Sequence, residues 1–272
     1  MNKKVIVLGL AVSALIIACA TNPFTGKKTM ALVGNNEIFP SAFQQYNQFL
    51  SENKVVTGTA DAKKIETIGT KIKVAAERWL TANGHADYLN GYQWEYKLVE
   101  SKDVNAWCMP GGKIVFYTGI LPICKTDAGI ACVMGHEVSH ALANHGQQRM
   151  SAGLLQQLGG VGVAVATGGK SEETQQIAMT AYGAATQLGG MLPFSRAHET
   201  EADQIGLLLM AIAGYNPDES VVFWERMSAS AGGNKPPEFM STHPADETRI
   251  ANLRALIPQV KAEAAKFGVT FK

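Results

Sequence analysis

His136-Glu137-Val138-Ser139-His140 lies inside a run from Asp127 to about Asn144 that reads as a helix. On a helix, residues four apart share a face, so the two imidazoles project side by side and can share one ion. Two neutral imidazoles and a carboxylate make a catalytic zinc site with one position open. Glu137 lies about 100° round from His136. It is therefore beside the ion rather than on it, where a carboxylate can take a proton from attacking water and pass it to a leaving amine. A pentapeptide of this kind also arises by chance on amphipathic helices, so it needs partners elsewhere in the chain.

Glu199-Thr200-Glu201-Ala202-Asp203 supplies them. Glu199 and Asp203 are four apart and share a face, whereas Glu201 points nearly the opposite way. Glu199 is the candidate third ligand, and Asp203 the candidate acceptor for the ring N–H of a ligating histidine. The competing reading is a solvated acidic face. Asn105 to Gly112 (Asn-Ala-Trp-Cys-Met-Pro-Gly-Gly) precedes a short strand, Lys113 to Tyr117, whose edge suits an extended peptide paired through its backbone. Ser241-Thr242-His243-Pro244, followed by Arg249, puts an imidazole and a guanidinium near a late helix start. Either is a candidate donor to a developing oxyanion.

The remaining chain is read around these motifs. Helices are expected over 36–52 and 60–80, and a strand with an aromatic face over Tyr92 to Leu98. Met150 to Gly169 carries no charge between Arg149 and Lys170. Gln156, Gln157 and several glycines argue against a membrane span, so a buried or gating helix ending at Gly168-Gly169 is expected. Gly189-Gly190 is read as a break before the Glu199 helix, and the glycine pairs, with Gly232-Gly233, as hinges of loops over the cleft. Asn216-Pro217-Asp218-Glu219 and His243-Pro244-Ala245-Asp246-Glu247 read as helix starts. His145 is read as the C-terminal residue of the metal helix, His85 as a surface residue, and His145, His198 and Cys132 as non-ligands.

Taken together and in this order, HExxH, ExxxD, the strand segment before the metal helix and the late Thr-His-Pro…Arg segment resemble the M48 family of metallopeptidases. The likeness runs from about residue 90 to 257. It implies an α+β, mainly helical, zincin-like (gluzincin) domain with a small sheet beside the active-site helix. It implies one Zn2+ per chain held by His136, His140 and Glu199, with Glu137 as catalytic base and Asp203 orienting a ligand. It also implies that His243 approaches the metal, steadies the oxyanion or blocks the resting site.

Net charge is +1 over 272 residues, so there is no basic field for nucleic acid. Lys3 and Lys4 precede 14 apolar or small residues, Val5 to Ala18, too few to span a bilayer. Ile16-Ile17-Ala18-Cys19 resembles the lipobox of bacterial lipoproteins. The expected organisation is a signal peptide over 1–18, acylation at Cys19, a lipid-anchored polar tether over 19–35 and a peptidase domain over 36–272. The expected location is a bacterial cell envelope, facing the periplasm, with the outer membrane favoured. Cys108, Cys124 and Cys132 leave one disulfide or none open. The expected function is hydrolysis of peptide bonds in unfolded or misassembled envelope proteins, outer-membrane proteins among them. The alternative is a chaperone or assembly factor that binds clients through the same groove.

Overall fold

A computed structural model describes residues 19–230, 237–244 and 247–271. The segment read as a signal peptide, Gly232-Gly233 and Ala245-Asp246 fall outside these residues. The chain divides into two units, one of residues 1–34 with 144–198 and the other of residues 35–143 with 199–272.

The larger unit carries the motifs. Helix α1 (Asn35–Glu52) and helix α2 (Ala60–Ala82) match the expected helices within two residues. On α2 the apolar residues Ile65, Ile68, Ile72, Ala76 and Trp79 recur at helical spacing and are buried, while Thr59 caps the start through Ala62 N. A four-stranded sheet has the order β3 (Val55–Val56), β4 (Glu95–Val99), β6 (Lys113–Tyr117), β5 (Ala106–Met109). The β4–β6 pair is parallel and the other two pairs are antiparallel. The inner strand β6 buries Ile114, Val115 and Phe116 completely. One face of the sheet is covered by α1 through Tyr46, packed with Val99 and Val115 and flanked by Phe49 and Trp107. On the other face α2 approaches β4 closely, because Gly69 leaves room for the Tyr96 ring; a Cβ there would lie 2.3 Å from it. Strand β4 begins three residues later than expected, yet the aromatic face exists: Tyr92, Trp94 and Tyr96 stack in sequence at 5.3 and 6.5 Å. Helix α3 (Leu121–Cys124) leads into α4 (Asp127–Leu142), and α8 (Asp218–Ser230), α9 (Glu238–Thr242) and α10 (Glu247–Ala265) complete the unit.

The smaller unit has a two-stranded hairpin, β1 (Cys19–Thr21) with β2 (Lys28–Met30), where a tether was expected. It also holds α5 (His145–Thr167) and α6 (Glu172–Thr186). Gln147 donates to Val33 O and Leu32 N donates to Ser151 Oγ, tying the segment after the hairpin to α5. Helix α5 is not the buried helix expected from its missing charges. Leu158, Val161 and Val165 are 66, 61 and 78% exposed, because α5 meets α6 through glycines rather than through its apolar side chains. Gly189-Gly190 does not break the chain either. It lies in a π-helical turn, Gln187–Met191, that joins α6 to α7 (Leu192–Ile212), and α7 contributes residues to both units.

Candidate metal centre

Helix α4 is buried from Gly129 to Leu142, polar residues included. Its start is fixed by Thr126, whose hydroxyl accepts from Gly129 N. At its end, Tyr88 and Tyr92 donate their hydroxyls to Leu142 O and Ala141 O at 2.7 and 3.0 Å, satisfying two of the last carbonyls. Asn144, left-handed at φ 55°, ends the helix. His145 therefore opens α5 instead of closing α4, and within the smaller unit it stacks on His198 with ring centroids 3.9 Å apart.

Two glycines bring α4 and α7 together. A Cβ on Gly135 would lie 2.7 Å from Gly206 O, and a Cβ on Gly206 would lie 2.7 Å from His136 N. Only glycine at both positions allows this backbone-to-backbone crossing. Within two turns of that crossing, His136 meets Glu199 and Asp203, and His140 meets Glu199. The acidic stretch is thus no solvated face: Asp203 is 8% and Glu201 3% exposed.

His136, His140, Glu199 and His243 each offer a ligand atom, and these atoms all lie within 4.8 Å of one another. His136 Nε2 is 3.1 Å from His140 Nε2 and 3.3 Å from Glu199 Oε2, and His140 Nε2 is 3.4 Å from Glu199 Oε1. His136 Nδ1 donates to Asp203 Oδ1 at 2.9 Å. An ionised carboxylate only accepts, which assigns a proton to Nδ1 and leaves Nε2 as the ring nitrogen that faces the cluster. Two imidazole nitrogens and a carboxylate oxygen converging in this way are the donor set that zinc takes.

The charges hold one another. Burial opposes a cationic His136, but hydrogen bonds to Asp203 and Glu199 outweigh it and raise the imidazole to about 9. Burial pushes Glu199 up, yet hydrogen bonds from His136 and His243 hold it far below the usual carboxylate range. Asp203 is likewise lowered against burial, chiefly by the Arg249 guanidinium.

Glu137 is 3% exposed, and its Oε1 lies 3.5 Å from His243 Nε2. His243 Nδ1 points into the donor cluster, 2.8 Å from Glu199 Oε2. Arg249 is buried, at 7% exposed, and engaged on several sides. Its Nε and Nη2 grip Asp203 at 2.8 and 2.6 Å, and its Nη1 donates to Pro244 O. The guanidinium also lies 3.6 Å from the Trp224 ring centroid. Its Nη1 also lies 3.4 Å from Glu199 Oε2, so the guanidinium backs both acids of the ExxxD pair.

Trp224, Phe239 and the glycine crossing went unread in the sequence. Phe239 packs on His243 at 4.6 Å between centroids and on Trp224 at 5.8 Å. Phe239 alone had a positional signal, four residues before His243. His85 is exposed, as expected. Cys132 is buried at 7% and no member of the donor cluster, and no disulfide joins Cys19, Cys108, Cys124 and Cys132. Burial raises Cys124 to about 12 and Cys132 higher still, so these thiols pack as small apolar groups.

Several known proteins resemble the chain. Mitochondrial metalloendopeptidase OMA1 of Saccharomyces cerevisiae is 37% identical over 205 residues, covering 72% of this chain and 56% of that protein. Metalloendopeptidase OMA1 of Homo sapiens is 28% identical over 273 residues, 95% of this chain and 51% of that protein. The β-barrel assembly-enhancing protease of Escherichia coli is 30% identical over 176 residues, 62% of this chain and 35% of that protein. The chain thus spans about half the length, or less, of these curated relatives.

These relatives correct the expected location. Matches to enzymes named mitochondrial in fungi, a plant and animals overturn the bacterial cell envelope as the expected place. The expectation rested on four residues ending at Cys19 and a lysine-led apolar run, and neither pattern is peculiar to one compartment. Cys19 is exposed and opens β1. Residues 70–257, most of the larger unit's motifs among them, match Peptidase family M48, whose members are zinc-dependent metallopeptidases, and the chain belongs to that family.

Proposed function

We propose that this chain is a zinc-dependent endopeptidase acting on unfolded or misassembled polypeptides. The observation that carries the reading is the convergence of His136, His140 and Glu199 with Glu137 alongside. In the proposal His136, His140 and Glu199 hold the ion, which when bound supplies Lewis acidity to the scissile carbonyl. Asp203, clamped by Arg249, fixes the His136 tautomer. Glu137, buried beside the cluster, takes the proton of the attacking water and returns it to the leaving amine. His243, between Glu137 and Glu199, is the group placed to donate to the oxyanion or to occupy the site at rest. Strand β6, whose edge was expected to take substrate, is paired on both sides; strand β5 stands at the outer end of the sheet order instead, and its edge suits an extended substrate segment, which favours unfolded chains.

The test is incubation of the purified protein with a permanently unfolded protein, with and without a chelator, and mass-spectrometric mapping of fragments. Internal cleavages that vanish with chelator and return with zinc are expected. Fragments limited to terminal residues, or unaffected by chelation, contradict the reading. A second reading rests on the same β5 edge, since strand pairing needs no metal: a client-binding assembly factor with little cleavage. A deletion strain rescued by Glu137→Gln favours it; failure of rescue favours proteolysis.

A further inference from the structure

The described residues place ten of their twelve exposed large apolar side chains in the smaller unit, although that unit is the minor part of the chain. Five of them, Met150, Leu154, Leu158, Val161 and Val165, follow one another at spacings of four, four, three and four along α5. That is one face of a helix, about 22 Å long at the helical rise. Ile177 on α6 is also exposed, at 63%.

The opposite face explains why the stripe points outward. Gly159 leaves room for the Tyr182 hydroxyl, where a Cβ would lie 2.1 Å away. That hydroxyl donates to Gln156 O at 2.8 Å, and Gln156 Nε2 donates to Thr186 Oγ1. The two helices meet through glycine and polar groups, and their apolar groups face out, the reverse of an ordinary helical hairpin in water. An apolar surface of this extent marks a place where something docks.

Charge identifies the occupant. From Met150 to Gly169 there is no charged residue, and exposed Arg149 and Lys170 bracket the run. The described part of the unit carries Lys27, Lys28, Arg149, Lys170 and Arg196 against Glu172 and Glu173, five minus two, or +3. The rest of the described chain has the opposite sign, with 21 acids among its residues or masked neighbours against 17 bases once Lys3 and Lys4 are set aside. No described helix is long and apolar enough to cross a membrane. An uncharged apolar stripe bracketed by Arg149 and Lys170, in a unit of net positive charge and on a helix that is not long and apolar enough to cross a membrane, suits a helix lying in the plane of an anionic lipid surface.

We propose that the α5–α6 hairpin docks flat on an anionic phospholipid surface through the Met150–Val165 stripe. The proposal is independent of the peptidase reading. It is tested by sedimentation of the full chain with vesicles of phosphatidylcholine alone or with about one third phosphatidylglycerol. Binding to the anionic vesicles is expected, weakened by salt, and weakened on the order of tenfold or more by Leu158→Gln with Val165→Gln. Val222→Gln, at an exposed apolar site in the larger unit, is expected to bind as the parent does. Because residues 1–18 could hold the chain on vesicles by themselves, a second measurement reads the stripe directly. An indole introduced by Val161→Trp should be quenched by brominated lipid, and one introduced by Val222→Trp should not. Equal quenching of both, no quenching of the first, or a stripe variant that alters self-association in light scattering without altering lipid binding overturns the proposal.

Discussion

Helices α4 and α5 follow one another in the chain with one residue of left-handed backbone near their junction, and both are poor in charge. Yet α4 is buried from Gly129 onward, while α5 turns an apolar stripe to solvent. Both contain glycines, and the glycines tell them apart. Gly135 in α4 is pressed against the backbone of α7, whereas Gly153 and Gly162 in α5 have nothing within 4 Å of a Cβ. Low charge sets how much a helix has to gain from burial; the neighbours that approach it decide whether burial occurs. In α4 this burial also encloses His136, Glu137 and His140, polar groups that low-dielectric surroundings make chemically potent.

The strongest way to break the contrast is chemical. Glu137→Gln on α4 should lower peptide cleavage by about 10²- to 10⁴-fold while the protein keeps its zinc. Leu154→Gln on α5 should leave turnover of a short soluble peptide unchanged. Comparable losses in steady-state kinetics would erase the distinction. Next, Arg249→Lys removes the two-pronged grip on Asp203 and the stack on Trp224, and should weaken zinc binding about 10- to 100-fold in a competition titration with a chromogenic chelator. Unchanged affinity would release Arg249 from its positioning role.

The glycine pair sharpens the contrast in stability. Gly135→Ala forces α4 and α7 apart and should cost about 1–3 kcal/mol in denaturant unfolding. Gly162→Ala meets open space on a helix and should stabilise by about 0.5–1 kcal/mol. The same sign for both would show that the crossing is not tight. The smallest effect is expected for Tyr92→Phe, which removes the hydroxyl from Ala141 O at the end of α4 and should cost about 1 kcal/mol, read from the unfolding midpoint. No change would mean that the helix end does not depend on that bond.

Local spacing made much of this readable in advance. The i,i+4 histidines and the i,i+4 Glu199–Asp203 pair lie on matching helix faces, and α1, α2 and α4 fall where apolar periodicity put them. What the sequence hid was tertiary. Nothing around Gly135 or Gly206 announces that one glycine faces the other about seventy residues away. Arg249 looked like a donor to substrate because its partners, Asp203 and Trp224, are distant in the chain. Helix α5 was misread because an uncharged run reports the cost of exposure and not whether a partner exists. Cys19 and its neighbours were assigned to a tether from polarity alone, although the Asn22–Gly26 turn closes a hairpin there.

The central claim is that one carboxylate from α7 joins two imidazoles from α4 on a single zinc ion. The most direct test is zinc content per purified chain for the parent, Glu199→Gln and Glu201→Gln, each first shown by circular dichroism to be folded. The account predicts one zinc in the parent and in Glu201→Gln and little in Glu199→Gln. Retention by Glu199→Gln with loss from Glu201→Gln would contradict it.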